Sequence, residues 1–281
     1  MKPKNHLLVV ISISFFLLSA VALEAQDNHF RRRLNQLEKE YTTADIEAEI
    51  NFGKDLASKI LKKYALLPND RLQKYISLLG AGIAGQIGRP ELSFHFAILK
   101  LDDVNAYACP GGFIFITSGA LKAMENEAQL VGVLSHEITH VNQRHIVKQL
   151  KIRAKGDGIT EGLSNLIGST SASARILLTQ LTEKAYALLF EEGVSKNDEF
   201  EADGIGSEVM VSLGYDWTSY QSYLAIIKSQ MAKGNGAILS KTHPDIDTRI
   251  EKISTLAREL EFNDIKGKQN AKRFKEYHHL L

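Results

Sequence analysis

The sequence predicts an α+β fold, mainly helical, with a small β-sheet. Three observations predict it. Apolar residues recur at helical spacing over long stretches, as in Ile46, Ile50, Leu56 and Ile60. Two short runs, Ser93–Leu99 and Gly112–Thr117, are rich in β-formers and bounded by turn residues. No internal repeat competes with these signals. At 281 residues the chain is long enough to bury a core of its own.

The elements run in order along the chain. Residues 27–65 read as helix, charged as far as Tyr41 and amphipathic from Ile46 onward. Pro68-Asn69-Asp70 breaks the chain and supplies an N-cap for a second helix through Leu79, and the glycines at 80, 82, 85 and 88 loosen the next stretch. The two strands come next, separated by a turn or edge segment from Asp102 to Gly111. Ser118 caps a helix beginning near Ala120, and Glu125–Gln149 reads as one long helix. Residues 155–174 are rich in Gly, Ser and Thr and read as mobile; 155–195 as a whole could form a lid. Arg175–Glu191, Asp198–Leu213, Trp217–Lys233 and Ile246–Leu260 complete the helices.

Composition narrows the function classes. Apolar residues are 44% and charged residues 24%, ordinary for a soluble globular protein. A formal net charge of +1 gives no basic field of the kind that binds nucleic acid, so no nucleic-acid partner is expected. Cys109 is the single cysteine, which excludes an intramolecular disulfide and a cysteine-based zinc cluster. Residues 1–25 read as an export signal: Lys2 and Lys4, an apolar run from Leu7 to Leu18, then small residues ending at Ala22 or Ala25. The rest, 26–281, reads as one domain. An uncleaved N-terminal membrane anchor is the alternative, since Leu7–Leu23 approaches the roughly 17–25 residues of a span. Export from a Gram-negative cytoplasm would deliver the chain to the periplasm.

The chemistry centres on His136-Glu137-Ile138-Thr139-His140. Positions i and i+4 share a helix face, so His136 and His140 can chelate one ion. Zinc suits imidazole and carboxylate donors, and a catalytic zinc takes three protein ligands and leaves a position open. Glu137 is placed to take a proton from a water acidified by the ion and to return it to a leaving amine. A chance pair of histidines on a solvated face is the alternative. The apolar flanks Leu130, Val131, Leu134, Ile138 and Val141 argue against it by implying burial.

For a third ligand, Gln143 and Ile146 stand where a metzincin would carry Gly and His, which excludes that class. On a continuous helix His145 falls roughly 140° off the face and would cap or pack nearby. Glu199 is the candidate, with Asp203 one turn further on to accept the second ring N–H of a ligand histidine, while Glu201 faces elsewhere. A solvated acidic helix start is an equal reading of that segment.

The wider set of motifs resembles a known family. Asn105-Ala106-Tyr107-Ala108 precedes Pro110-Gly111-Gly112 and Ile114-Phe115. Ser118-Gly119 comes next, then the histidine motif extended by Arg144-His145. Glu199-Phe200-Glu201-Ala202-Asp203, Thr242-His243-Pro244 and Arg249-Ile250 complete the series. In this order they are similar to the gluzincin-type zinc peptidases of the CAAX prenyl protease and HtpX, in particular the soluble, exported BepA-like branch. The similarity runs from about Glu47 to Phe274. It implies a zincin-like domain holding one Zn2+ per chain on His136, His140 and Glu199, with Glu137 as general base and acid. It implies a metalloendopeptidase acting on extended or unfolded polypeptides, in the quality control of envelope proteins with which it could associate peripherally. The strand Asn105, Ala106, Tyr107, Ala108 would line the cleft and pair with substrate as an added β-strand. His243 could steady the oxyanion, occupy the open zinc position as a latch, or simply cap the following helix; a latched chain could serve as a chaperone-like client binder instead. Arg249 could support the site or pair with a carboxylate. The chain departs from the pattern at Lys196 and Gly204, where arginine is usual, and at Cys109, where an aliphatic residue is common.

Overall fold

The computed structural model describes residues 42–150, 169, 171–232, 243 and 245–281. The expected signal segment, the helix before Thr42 and most of the Gly/Ser/Thr-rich stretch lie outside these residues. Among the described residues ten α-helices surround a three-stranded sheet.

Helix α1 (Thr43–Lys63) opens on a capping box in which Thr42 and Asp45 satisfy each other's backbone N–H. Its apolar stripe, Phe52, Leu56 and Ile60, is fully buried. Helix α2 (Asp70–Ile87) is capped by Asn69, as expected, but runs past Leu79 to Ile87. Its glycines do not end it. Gly80 packs directly under the Phe96 ring, where an added Cβ would come within 2.5 Å, so the helix rests tightly on the sheet.

Strands β1 (His95–Leu99), β2 (Ala106–Cys109) and β3 (Phe113–Thr117) lie in the order β1-β3-β2, with β1 parallel and β2 antiparallel to β3. The segment read as a turn or edge is thus a regular strand at the sheet's edge. A 3₁₀ turn, Pro110–Gly112, joins it to β3, with Gly111 and Gly112 at φ 72° and 96°, a region open to glycine. An added Cβ on Gly111 would meet Ile50 Cα at 2.7 Å.

Helix α3 (Ser118–Lys122) is capped by the Thr117 side chain rather than by Ser118. The long helix expected over Glu125–Gln149 is two helices, α4 (Glu127–Asn142) and α5 (His145–Gln149). Arg144 breaks it in the left-handed region at φ 54°, and the buried Glu49 carboxylate holds the break: it accepts Arg144 Nε at 2.9 Å and Arg89 Nη1 at 2.7 Å. Helix α6 (Ala172–Ala187) passes into a π-turn at Leu188–Glu192, then Gly193 turns the chain at φ 78°. Leu188 and Phe190 are buried in the core beside α1 and β2, so this part of 155–195 is built into the body of the protein.

Helices α7 (Lys196–Ser212) and α8 (Thr218–Ala232) pack on α4, and α9 (Ile246–Glu259) packs on α7 and α8. A last helix, α10 (Ala271–His278), has no counterpart in the sequence reading. It is short and mostly polar, and it docks by stacking Tyr277 on Tyr75, ring centroids 4.0 Å apart, and by pairing Arg273 with the buried Glu127. No described helix is long and apolar enough to cross a membrane.

Candidate metal centre

Every residue of α4 is buried, including His136, Glu137 and His140, which gives the polar triad the enclosed setting its apolar flanks imply. Helix α7 lies across α4 at very close range. Gly206 makes this possible: a Cβ there would sit 3.2 Å from the His136 backbone nitrogen. Ser195 caps α7 by accepting from Asp198 N, which places Glu199 in the first turn and directs it at the two histidines.

Three donor groups converge. His136 Nε2 and His140 Nε2 are 2.9 Å apart, and Glu199 brings Oε2 to 3.7 Å from the first and Oε1 to 3.5 Å from the second. Tetrahedral zinc with bonds of about 2.0–2.1 Å needs neighbouring donors roughly 3.3 Å apart. The observed separations bracket that value, and the donor set of two imidazoles and one carboxylate is the right chemistry. The residues fit a zinc ion.

Their protonation suits the task. Burial, reinforced by the charge of His136, pushes the His140 pKa well below its ordinary value, leaving a neutral ring with a free lone pair. Burial alone would raise Glu199, but His243, His140 and His136 outweigh it and hold the carboxyl well below the usual range. Glu137 goes the other way: burial first, then the Glu199 charge, push it up to about 8. Two carboxyls on one site are thus driven apart, one a permanent anion and the other able to carry a proton near neutrality.

The supporting groups are placed with equal economy. Asp203 Oδ1 is 3.0 Å from His136 Nδ1, and Asp203 is itself gripped by Arg249 and by the Tyr220 hydroxyl at 2.9 Å. Arg249 therefore pairs mainly with this carboxylate; its Nη1 stays 3.9 Å from Glu199 Oε2. His243 Nδ1 is 2.5 Å from Glu199 Oε2, while the side chain that caps the following helix is Asp245, accepting from Thr248 N. His145 is fully buried, with Nδ1 2.8 Å from His140 Nδ1. The off-face expectation assumed a continuous helix; the break at Arg144 swings His145 back onto His140. Glu201 Oε2 lies 3.4 Å from His145 Nε2.

The cleft has two lobes that meet at Glu137 and His243. One is walled by Ile146, Leu188, Leu189 and Val194, the other by Val133, Tyr223, Leu224 and Ile227. Ala106 of the edge strand lines both; Tyr107 and Ala108 belong to the first and Asn105 to the second. The apolar walls were not singled out from sequence, because residues of this type on helices read as core. Tyr107 also stacks on Phe190 of the π-turn, centroids 4.1 Å apart, which ties that wall to the strand.

The model of peptidase family M48 matches residues 70–257, which spans α2 through α9 and includes every group just described. The chain belongs to peptidase family M48. It is 27% identical over 225 residues to the beta-barrel assembly-enhancing protease of Yersinia pestis, covering 78% of this chain and 46% of that protein. It is 24% identical over 233 residues to the mitochondrial metalloendopeptidase OMA1 of Schizosaccharomyces pombe, covering 79% and 63%. It is 28% identical over 167 residues to the metalloprotease YcaL of Escherichia coli, covering 59% of each. The chain spans about half the length of the beta-barrel assembly-enhancing proteases it matches. The structure has the α+β, mainly helical zincin-like domain expected from sequence.

Proposed function

We propose that this protein is a zinc-dependent metalloendopeptidase that cleaves extended or unfolded polypeptides of the cell envelope. The observation that carries the proposal is the convergence of His136, His140 and Glu199 beside Glu137, in a cleft also lined by β2, the edge strand of the described sheet. His136, His140 and Glu199 would hold one Zn2+ per chain. Bound there, the ion supplies Lewis acidity that polarises the scissile carbonyl and acidifies a water.

This chain's own residues do the rest. Glu137 takes the proton of the attacking water and passes it to the leaving nitrogen; a carboxyl raised by burial is suited to both halves of that shuttle. Asp203 and Arg249 fix the ring of His136. An extended substrate adds as a strand along Asn105, Ala106, Tyr107 and Ala108, recognised through its backbone, with side chains entering the two lobes. This mode tolerates many sequences and requires an unfolded segment.

His243 bears on Glu199 and on both lobes. It either steadies the oxyanion or latches the open metal position, and His243→Ala separates these: faster proteolysis marks a latch, lost proteolysis a helper. The peptidase reading is favoured over a chaperone-like client binder because the relatives are named as proteases. The names of the beta-barrel assembly-enhancing proteases support a quality-control role toward envelope proteins, with which this chain would associate peripherally; the basic and then apolar start of the sequence supports export to the periplasm with removal of residues 1–25.

The test is metal analysis together with cleavage of unfolded casein. One zinc per chain and turnover that Glu137→Gln abolishes are expected. Undiminished cleavage by Glu137→Gln, or unchanged zinc content in Glu199→Gln, would defeat the assignment.

A further inference from the structure

The two proposed ligand histidines are held in different ways. His136 leans on a buried, arginine-clamped carboxylate. His140 leans on another imidazole: its Nδ1 is 2.8 Å from His145 Nδ1, with the rings nearly edge to face at 78°. On the far side of His145, Nε2 faces Glu201 Oε2 at 3.4 Å and Asp198 Oδ1 at 3.8 Å, both on the first turns of α7. These carboxylates are only partly buried, whereas His145 has no exposed surface.

We infer that His145 is a positioning residue that links the metal ligand His140 to the Glu201 carboxylate, in a relay of two imidazoles. The inference rests on the zinc site proposed above. The proton count fixes its direction. His140 gives Nε2 to the metal, so its proton is on Nδ1 and is donated to His145 Nδ1. His145 must accept there, which puts its own proton on Nε2, pointing at Glu201 and Asp198. Each partner in line raises the electron density of the one before it, and His140 is held in the tautomer and orientation the ion needs.

The same count argues against a second cation held by His145, Asp198 and Glu201, although these three can approach one point. Metal on His145 Nε2 would force a proton onto its Nδ1, opposite the proton of His140 Nδ1, and two N–H groups would face each other at 2.8 Å. The relay and a second ion are mutually exclusive.

Zinc affinity, read by competition with a chelator in the full chain, tests the relay apart from catalysis. His145→Ala should weaken binding by roughly ten- to a hundredfold. His145→Gln, which can accept from His140 and donate to Glu201, should recover part of that loss, and Glu201→Gln should show a smaller loss than His145→Ala. In the zinc-loaded protein, ¹⁵N NMR of the imidazoles should show His145 protonated at Nε2. If His145→Ala does not fold, the Gln variant and the tautomer still decide. A folded His145→Ala within about twofold of wild type overturns the relay. So does an Nδ1–H tautomer for His145, or a second zinc bound at His145. A wild-type chain that binds no zinc defeats the metal site itself and the relay with it, whereas a loaded chain with the wrong tautomer defeats the relay alone.

Discussion

Arg249 grips the Asp203 carboxylate through two nitrogens, Nε to Oδ2 at 2.8 Å and Nη2 to Oδ1 at 2.6 Å. Both side chains are almost wholly removed from solvent. Removing one partner of a buried pair strands the other charge and costs about 3–5 kcal/mol. Arg249→Met should therefore lower unfolding stability by about 3 kcal/mol in a denaturant titration, and it should weaken zinc binding because Asp203 no longer fixes His136.

Glu137→Gln should leave the fold and the zinc content intact while reducing turnover by at least about a hundredfold, the usual scale for losing a general acid–base group. Measuring kcat and metal content on the same preparation checks both halves. Loss of metal along with activity would assign Glu137 a structural role instead.

The contact between α7 and α4 sets the reach of Glu199. Gly206→Val inserts branched carbon against the His136 backbone, where even a bare Cβ lies at 3.2 Å. Overpacking of this kind costs roughly 1–3 kcal/mol. Thermal unfolding should reveal it, and zinc affinity should fall because the two helices that carry the donors are pushed apart.

Acid should loosen the C-terminal helix first. Burial would raise Glu127, but hydrogen bonds from Arg273, Tyr215, Asn270 and Tyr75 overcome it and depress the carboxyl below its ordinary value. A depressed carboxyl contributes stability that is present above the unfolded value and lost as pH falls through the folded one. Glu127→Gln should therefore be less stable than wild type at neutral pH, with the gap closing as the pH drops below about 4. Hydrogen exchange across Ala271–His278 reports the docking directly.

Much of this was legible in the sequence because local chemistry and tertiary use agree there. The i, i+4 histidines and the β-rich runs each announce themselves within a few residues, whereas the acidic segment at Glu199 reads equally as a solvated helix start until α7 is seen against α4. What was missed depends on distant partners. Nothing local at Arg144 announces a left-handed residue; Glu49, on another helix, imposes it. Gly80 looks like part of a break until the Phe96 ring packed against it is known, while Gly82 and Gly85 sit on the exposed face of the same helix. Helix α10 is only eight residues long and mostly polar, and it is held by a charge and a ring from elsewhere. Leu188, Leu189 and Val194 line a cleft only because a π-turn presents them to it.

Among the described residues β2 is paired on one side only, and this edge carries a hazard as well as its proposed use. An edge that would accept any extended backbone would equally accept another copy of the chain, so crowding would favour self-association at the place proposed for substrate. Two features hold that tendency down. The strand is only four residues long, and the glycine turn at Pro110–Gly112 bends the chain away before a longer ladder can form. A substitution that straightened this turn would lengthen the landing strip, and with it the appetite of the protein for its own kind.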